Sequence, residues 1–398
     1  MKWKMTWSVY EDLTVRSIKR GYADPYDVWL TPLTIRVRQA FYKRLLIGKM
    51  CAAGIACFDW FAPGLLRLMI NAPRRVHPIT AGLLAQIDVL NGYRWLRPEE
   101  WCQLFRSLAS CKGSDEQWAW GLGFVWMSKN GLYGTNVPFI THTPYIMEAL
   151  LEVARQDGAH AEECYEMFRG TWRFLESLKV MDETVDTLSL SYAPMNEIRP
   201  VVNANSYASF AFALHAVNNE NKHNVALDKA LRIARWVVNQ QRSDGSWTYF
   251  ADDLPGNFID GFHSCLVLRN LIKVAKIVPS ASGIVETAID KGWAFLRVRA
   301  FDKQNGMLRR FVIRDFLDPY AWDIYDQAEY LGLLIDFGEI EEAVRFRSNI
   351  KNHFSNGRDW WCRIDILGRR WGKNFLRWGI VPFWFHSARL DCALERAV

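Results

Sequence analysis

Apolar residues recur at helical spacing in six segments of the chain, and more highly charged helical segments alternate with them. The apolar segments begin near residues 77, 143, 203, 257, 321 and 376, so that neighbours are roughly 55 to 65 residues apart. Turn-forming stretches rich in Gly, Asp, Asn and aromatic residues separate the two kinds of segment. The pattern therefore predicts a helical hairpin repeated along the chain.

Six hairpins of even length favour an all-α fold, an (α/α)6 toroid over residues 77–398, with the apolar helices as an inner ring and the charged helices outside. A generic all-helical domain is the alternative, and the regular spacing counts against it. Thr143, Asn203 and Asn257 stand where the caps of inner helices are expected. Residues 1–76 are predicted to form a separate, basic, amphipathic helical region.

Charge is concentrated in that first region. Residues 1–76 carry 13 Lys and Arg against 5 Asp and Glu, although the whole chain has a net charge of only +6. Within it, residues 45–70 form the most apolar stretch, but Lys49, Asp59 and Arg67 interrupt it and disfavour a membrane-spanning helix. Two interpretations stay open: an amphipathic helix packed on the domain, or one that lies peripherally on an anionic membrane surface.

Composition excludes several classes of protein. The chain has 398 residues, half of them hydrophobic, which excludes a disordered protein and allows a large core. Its eight cysteines are scattered without a CxxC pair, as expected for reduced thiols in a cytosolic protein. The first 20 residues lack the apolar core of a secretory signal, so we predict a cytoplasmic protein. No signature of nucleic-acid binding accompanies the basic region.

Candidate chemistry lies at the expected N-termini of the inner helices. In such a ring the loops before these helices converge on one face, where helix dipoles favour anionic groups. Asp260 and His263 are three residues apart and share a helix face, so they can form an orienting carboxylate–imidazole pair. The alternative is an Asp that caps the helix and a His buried in the core. Asp323 stands at the corresponding point of the next inner helix, and these three are the predicted catalytic residues.

Several other sites are excluded by their missing motifs. The chain contains no P-loop, no HExxH and no GxSxG sequence, and GLGFVW lacks the third glycine of a dinucleotide site. His263 and Cys265 are a weak metal pair, because residues two apart on a helix diverge. We therefore predict neither a cofactor nor a metal. Tryptophans in the loops suit the flat faces of sugar rings as well as they suit packing between helices.

Part of the sequence resembles a known family. The stretches SYAPMNEIRPVVNANSYAS, DGSWTYF with NFIDGFHSCLVL, WDIYDQAEY and NFLRWGIVPFWFHSA, in this order, resemble helical-toroid proteins of the six-hairpin glycosidase-like superfamily that are encoded with bacterial capsule, O-antigen and exopolysaccharide genes. The resemblance covers about residues 185–392. It implies a toroid that acts on a carbohydrate in surface-polysaccharide biosynthesis.

The resemblance also implies site residues. The positions that match the family's motifs are Tyr192, Asn203, Trp247, Tyr249, Asp260, His263, Asp323, Gln327, Arg377 and Trp378. Apart from the three catalytic candidates, these positions and the auxiliary Tyr325 are the predicted substrate-binding residues. Two departures matter: Tyr325 stands where the family has a His, and a Gln of the family's closing segment falls on Val381 or Pro382.

Three hypotheses of function follow. The first is a sugar-acting enzyme that epimerises or β-eliminates a uronic acid, with Arg377 neutralising the developing charge, or that hydrolyses a glycosidic bond with two of Asp260, Asp323 and Asp326. The second is a non-catalytic component that holds a glycan, such as a lipid-linked oligosaccharide, or a glycosyltransferase partner at the membrane. The third is an isoprenoid-binding toroid, since QQRSDGSWTYF resembles a repeat of terpene cyclases and prenyltransferases, although their DxDD motif is missing.

Overall fold

The computed structural model describes residues 27–73, 77–92, 96–114, 117–156 and 160–396. In chain order the helices are α1 (Pro32–Tyr42), α2 (Leu46–Phe61), α3 (Pro63–Met69), α4 (Pro78–Leu90), α5 (Pro98–Ser110), α6 (Thr143–Gln156), α7 (Ala161–Ser177), α8 (Val202–Asn218), α9 (His223–Asn239), α10 (Gly261–Ile277), α11 (Ser282–Phe295), α12 (Ile324–Asp336), α13 (Ile340–Phe354) and α14 (Val381–Arg396).

The even-numbered helices from α4 to α14 form a closed inner ring. Each of these six helices packs against the next, and α14 returns to pack against α4, where the Cys392 thiol lies 3.4 Å from the Leu90 carbonyl oxygen. The five odd-numbered helices from α5 to α13 pack outside. Nearly every residue of α8 and α12 is buried, whereas α9 and α13 bury a single stripe, as inner and outer helices should. The (α/α)6 toroid predicted from the sequence is confirmed.

Short strands occupy the connections that precede the inner helices. They are β1 (Lys112–Ser114), β2 (Gln117–Trp120), β3 (Trp126–Ser128), β4 (Gly131–Tyr133), β5 (Val180–Glu183), β6 (Leu188–Leu190), β7 (Ile259–Asp260), β8 (Phe301–Asp302), β9 (Met307–Leu308), β10 (Phe311–Ile313), β11 (Tyr320–Asp323), β12 (Trp361–Asp365) and β13 (Arg370–Lys373). All their pairings are antiparallel, and β11, β12 and β13 form one three-stranded sheet. Connections from inner to outer helices are much shorter. The long connections therefore lie at one end of the ring, which we call the loop face.

The caps of the inner helices differ in part from the sequence prediction. Asp260 caps α10 and Asp323 caps α12, each by accepting a backbone hydrogen bond with its side chain. Asn257 is not a cap, because its side-chain oxygen accepts from the Phe250 amide within the preceding loop. Asn203 lies inside the first turn of α8, whose cap position is Val201. The prediction of Asn203 and Asn257 as caps was therefore wrong.

The N-terminal helices α1, α2 and α3 pack against the loop face. The apolar stretch at residues 45–70 breaks at Pro63 into α2 and α3, and among the described residues no helix has the length and apolarity to cross a membrane. The Trp60 indole donates to Asp365 at 2.9 Å, and the Trp371 indole donates to the Asp59 carbonyl at 2.7 Å. Residues 1–26, the first part of the predicted N-terminal region, lie outside the described residues. The division of the chain at residue 76 stays a prediction.

Candidate functional site

The candidate site lies on the loop face, at the N-termini of α10 and α12. Strands β7 and β10 pair there, and the Gly261 amide donates to the Arg310 carbonyl at 3.1 Å. This pairing carries the loop that follows α11 across the start of α10. Side chains from two successive hairpins, at Asp260 and Asp323, are thus brought to the same end of the ring.

Asp260 and His263 form the pair that the sequence predicts. One Asp260 oxygen accepts from the His263 amide at 2.8 Å, and the other lies 2.7 Å from His263 Nδ1. Because a carboxylate only accepts hydrogen bonds, Nδ1 carries the proton and Nε2 of the neutral ring keeps its lone pair. The His263 side chain is about a quarter exposed, whereas that of Asp260 is buried. The pair therefore holds an oriented imidazole that is partly open to solvent on the loop face.

Aromatic rings surround this imidazole on two sides. The ring of Tyr249 lies edge-on to His263 with 4.7 Å between centroids, and the ring of Phe262 lies at 4.9 Å. Phe258 stacks on Tyr249 at 4.8 Å, so the wall extends along the preceding loop. Burial raises the pKa of Tyr249 well above its usual value, which keeps the phenol protonated. The imidazole is therefore flanked by aromatic rings, and its Nε2 atom is a polar group beside them.

Asp323 has the same cap position in the next hairpin, but its carboxylate is fully engaged. One oxygen accepts from the Tyr325 amide at 2.9 Å. The other accepts from Arg310 at 2.5 Å, from Arg363 at 2.8 Å and from the Trp378 indole at 3.0 Å. Burial alone would raise the pKa of Asp323, but Arg363 and Arg310 outweigh it and lower that pKa. The lowered pKa favours the Asp323 anion, which joins three stretches of chain.

The approach of Trp378 to Asp323 depends on a glycine. Gly379 has φ of 86°, in the left-handed region, and a Cβ there would lie 2.6 Å from the Tyr325 backbone nitrogen. The segment before α14 can therefore lie directly against the first turn of α12. Trp378 and Tyr325 meet edge to face at 5.4 Å as a result, and Phe262 lies 4.5 Å from Tyr325. Tyr325 thus links the two aspartate sites through ring contacts.

Asp326 lies in the first turn of α12, and its surroundings differ from those of Asp260 and Asp323. Its Oδ2 atom is buried without a hydrogen-bond partner among the described residues, and Arg310 Nη1 is 4.0 Å away. Burial, Asp323 and Asp260 raise the pKa of Asp326 well above its usual value, against the opposing effect of Arg310. The raised pKa favours the protonated carboxyl, the form that can donate a hydrogen bond. The sequence offered Asp326 only as one of three aspartates for hydrolysis.

Two further predicted residues lie on neighbouring hairpins. The Tyr192 hydroxyl accepts from Thr141 Oγ1 at 2.6 Å, and its ring packs on Phe139. The Asn203 side-chain oxygen, in the first turn of α8, is buried without a hydrogen-bond partner among the described residues. An unsatisfied buried carbonyl of this kind is costly unless a ligand or water donates to it.

Arg377 belongs to a second cluster on the loop face. It forms an ion pair with Asp27, ahead of α1, and its guanidinium lies over the Phe124 ring at 5.2 Å. His142 is nearby: burial, together with the charge of Arg377, lowers its pKa to about 3. The N-terminal segment at Asp27 therefore takes part in this side of the loop face, which no sequence pattern indicated.

Trp247 and Gln327 are buried in the wall of the ring instead of at the site. The Trp247 indole donates to the Val237 carbonyl at 2.9 Å, and its ring fills the space beside Gly292. The Gln327 amide accepts from the Leu308 backbone nitrogen at 2.8 Å and donates to the Leu308 carbonyl at 2.9 Å. Both side chains fix loops that support the site. Their hydrogen-bond capacity toward a ligand is largely used.

Comparison with known proteins supports the fold. No protein-family model matches the chain, and no curated protein does. Among solved structures, it is similar to a sugar epimerase from a ruminal bacterium and to cellobiose 2-epimerase from Bacillus thermoamylovorans, each with a TM-score of 0.58 over 82% of this chain and 90% of the other, at 11% and 10% identity. A glycoside hydrolase family 76 mannosidase from Bacteroides thetaiotaomicron gives a TM-score of 0.51 at 11% identity, over 81% and 87% of the two chains. These similarities show a six-hairpin (α/α)6 toroid.

Proposed function

We propose that the chain is a carbohydrate-active enzyme that moves a proton at a carbon beside a carbonyl group, as a sugar epimerase or isomerase does. The observation that carries this proposal is the Asp260–His263 pair, in which the carboxylate holds Nδ1 and leaves Nε2 as an oriented base beside an aromatic wall. Similar solved toroids include proteins named sugar epimerase, cellobiose 2-epimerase and D-mannose isomerase. They share the fold, and the site supplies the chemistry.

In the proposed reaction, His263 Nε2 takes the proton from the carbon next to the carbonyl of an open-chain sugar. The electrons of the broken C–H bond form a C=C bond and move charge onto the carbonyl oxygen. Asp326, a buried carboxyl with a raised pKa, is our choice for the acid that donates to this oxygen. Return of the carbon-bound proton to the other face of the same carbon, with the proton on the former carbonyl oxygen passing back to Asp326, gives the epimer. Its return to the neighbouring carbon, with the proton of the other hydroxyl passing to Asp326, gives the isomeric sugar.

Glycoside hydrolysis fits the site less well. It requires two carboxyl groups with free oxygens, one as acid and one as base or nucleophile. Asp323 accepts four hydrogen bonds and is held as an anion, and both oxygens of Asp260 are occupied by His263. Of these three aspartates, Asp326 alone has an oxygen without a hydrogen-bond partner among the described residues. β-Elimination from a uronic acid begins with the same proton abstraction and differs by the loss of a leaving group.

We also propose that the protein acts in the biosynthesis of a bacterial surface polysaccharide, in the cytoplasm and at the inner membrane. The support is the family resemblance of residues 185–392, which implies a carbohydrate substrate, including a lipid-linked oligosaccharide, and a glycosyltransferase partner. Deleting the gene and restoring wild type or His263→Gln tests this role. Loss of the polymer, or a changed sugar in it, is the expected result with the variant. A normal polymer with the variant would contradict the role.

A non-catalytic glycan-binding role is the second candidate. Tyr325 stands where the resembling family has a His, so chemistry that depends on that His in the family would be altered or lost here. An isoprenoid ligand is less compatible with the site, because His263, Asp326 and the Arg310 and Arg363 guanidinium groups make this part of the loop face polar. Exchange and binding measurements distinguish the first two roles.

Proton transfer is tested by deuterium exchange. The purified chain is incubated in D2O with aldoses, disaccharides and uronic acids, and NMR follows deuterium at the carbon beside the carbonyl. We expect exchange with the correct sugar and a loss of about 10²- to 10⁴-fold in His263→Gln, the usual contribution of a general base. His353→Gln, at an exposed histidine of α13, is the matched control and should keep full activity.

Two results would overturn the enzymatic proposal. Equal exchange by wild type and His263→Gln would remove His263 from the reaction. Saturable sugar binding by calorimetry without exchange on any sugar would establish the non-catalytic role instead.

A further inference from the structure

The N-terminal helices expose an unusual amount of apolar surface. Among the described residues, ten of the large hydrophobic side chains that are exposed lie between residues 33 and 69, and they are Leu33, Phe41, Leu45, Leu46, Ile47, Met50, Phe61, Leu65, Leu68 and Met69. Leu46 is 74% exposed, Ile47 69% and Leu68 77%. Contiguous apolar surface of this kind marks an interaction site.

These side chains form a continuous stripe instead of a scattered set. On α2, Leu46, Met50 and Phe61 follow helical spacing along one face, and small residues at positions 53 and 57 of the same face are exposed between them. On α3, Leu65, Leu68 and Met69 continue with the spacing of one helix face. The hairpin of α1 and α2 is closely packed at Gly48, which contacts the Ala40 backbone. The stripe is therefore presented by an ordered hairpin.

Cationic side chains border the stripe. Arg36, Lys43, Arg44 and Lys49 are exposed, and none of them forms an ion pair within the described part of the chain. The carboxylates of this segment are already engaged, because Asp59 pairs with Arg67 and Asp27 pairs with Arg377. The surface of α1 to α3 is thus apolar and positively charged together.

We propose that α1, α2 and α3 dock the protein on an anionic lipid bilayer. The exposed apolar side chains would enter the boundary between headgroups and acyl chains, and the four basic residues would contact anionic headgroups. At 16 residues, α2 is about 24 Å long, shorter than the hydrocarbon core of about 30 Å, so it lies along the surface.

Charge favours a bilayer over a second copy of the chain. If two copies met through this surface, Lys43, Arg44 and Lys49 of both copies would be gathered in one interface, where Asp59 and Asp27 are already paired. Like charges brought together in this way oppose association, whereas anionic headgroups attract them. A lipid surface is therefore the proposed partner, and self-association is the alternative that the experiment tests.

The docking surface is fixed to the loop face. Trp60 bonds to Asp365, Trp371 bonds to Asp59, and Arg38 lies over the Trp126 ring of β3 at 4.1 Å. A bilayer bound to α2 would therefore lie beside the candidate site. Resting on the proposed function, this arrangement favours a sugar carried by a membrane lipid as the substrate, but docking itself does not depend on catalysis.

Vesicle binding tests the proposal with the full chain. The protein is mixed with vesicles of phosphatidylcholine alone or with 30% phosphatidylglycerol, and flotation measures the bound fraction. We expect binding to the anionic vesicles and its loss at high salt. Lys43→Gln/Arg44→Gln/Lys49→Gln should weaken binding about 100-fold, at about fivefold for each basic residue. Leu46→Asn/Ile47→Asn/Met50→Gln should weaken it tenfold or more.

Matched controls carry the same changes elsewhere on the surface. They are Lys291→Gln/Lys303→Gln/Lys351→Gln for charge and Val185→Asn/Val225→Asn/Val298→Asn for apolar exposure. All substituted side chains are exposed, so thermal unfolding should be unchanged and both controls should bind normally. Absence of binding to anionic vesicles would overturn the proposal. Equal binding by the variants at residues 43–50 and by the controls would overturn it as well. A dimer in light scattering that the apolar variant abolishes would assign the surface to a second copy instead.

Membrane docking and proton transfer at His263 are tested independently of each other. Deuterium exchange on a water-soluble sugar requires no membrane, so loss of vesicle binding leaves the proposed chemistry intact. Conversely, His263→Gln should bind vesicles as wild type does, because its side chain lies outside the docking surface.

Discussion

Asp260 and Asp323 occupy the same place in successive hairpins, yet different groups contact their carboxylates. Each is the N-cap of an inner helix and the last residue of a short strand. Asp260 holds an imidazole that is partly open, whereas Asp323 is buried beneath two guanidinium groups and an indole. A cap position thus supplies an oriented carboxylate, and the surrounding loops decide whether that carboxylate serves chemistry or architecture.

The difference arises from residues far away in the chain. Arg363 stands on β12, which pairs with β11 directly beside Asp323, and Trp378 follows in the segment bent at Gly379. No corresponding arginine reaches Asp260 among the described residues, so that carboxylate remains available to His263. The comparison predicts that Asp323 matters for stability and Asp260 for activity.

The largest expected effect is on stability at Asp323. Asp323→Asn removes the anion that Arg310 and Arg363 share, leaves Asp318 to pair with Arg310, and places an amide donor against both guanidinium groups. We expect a loss of about 3–5 kcal/mol in the free energy of unfolding, measured by urea denaturation. Asp260→Asn is the matched variant, and it should cost less than about 1 kcal/mol because Asn caps helices as well as Asp does. Equal losses in the free energy of unfolding would show that the two aspartates contribute equally to stability.

Low pH should destabilise the fold through buried histidines before it affects Asp323. Burial lowers the pKa of His215 and of His386 to about 3, and lowers that of His142 similarly. Their unfolded pKa is near 6.5, so the unfolded state binds more protons below that pH and stability falls as pH decreases from 6.5 toward 3. Each histidine should cost about 2 kcal/mol at pH 5. Asp323, with its lowered pKa, loses its contribution only below pH 3.8.

Thermal unfolding between pH 7 and pH 5 checks this expectation. In His215→Phe, whose new ring can stack on Phe168 as the imidazole does at 4.5 Å, the dependence of stability on pH should fall by up to one proton. His353→Gln, at an exposed site, should leave the dependence unchanged. A flat stability between pH 7 and pH 5 in the wild type would contradict the burial of neutral histidines.

Asp326→Asn should stabilise the fold and abolish activity, whereas Asp323→Asn should destabilise the fold. The raised pKa of Asp326 penalises the folded state wherever the unfolded carboxyl is ionised, above about pH 4. Removing that penalty should stabilise the fold by about 1–2 kcal/mol, increasingly so as pH rises above 4, while deuterium exchange is lost. Calorimetry and the exchange assay on the same preparation measure both. A destabilised variant would mean that the carboxyl has a structural partner.

The smallest effect is expected at Tyr325, which lies between the two aspartate sites. Tyr325→Phe keeps the ring contacts with Phe262 and Trp378 and removes only the hydroxyl. We expect the free energy of unfolding to change by less than about 1 kcal/mol. A fall in exchange of about tenfold would assign the hydroxyl to the substrate, whereas unchanged exchange would leave Tyr325 as an aromatic spacer.

Local patterns predicted the ring and the Asp260–His263 pair. Hairpin spacing depends on hydrophobic periodicity, and a pair three residues apart on one helix is fixed by helix geometry. The state of Asp323 could not be predicted, because Arg363 is 40 residues away and reaches it only through strand pairing. Trp247 shows the same limit: its motif is local, but its burial beside Gly292 follows from packing between hairpins.

Closure of the ring has a consequence for synthesis on the ribosome. Helix α14 packs against α4, and Cys392 meets Leu90 across 302 positions of the chain. At about 5–20 residues per second, α4 therefore waits some tens of seconds for its last neighbour, with one apolar flank uncovered. The nascent ring stays an open arc until α14 has left the exit tunnel. During that time the uncovered flank of α4 is transient apolar surface of the kind that makes partly folded chains prone to aggregate.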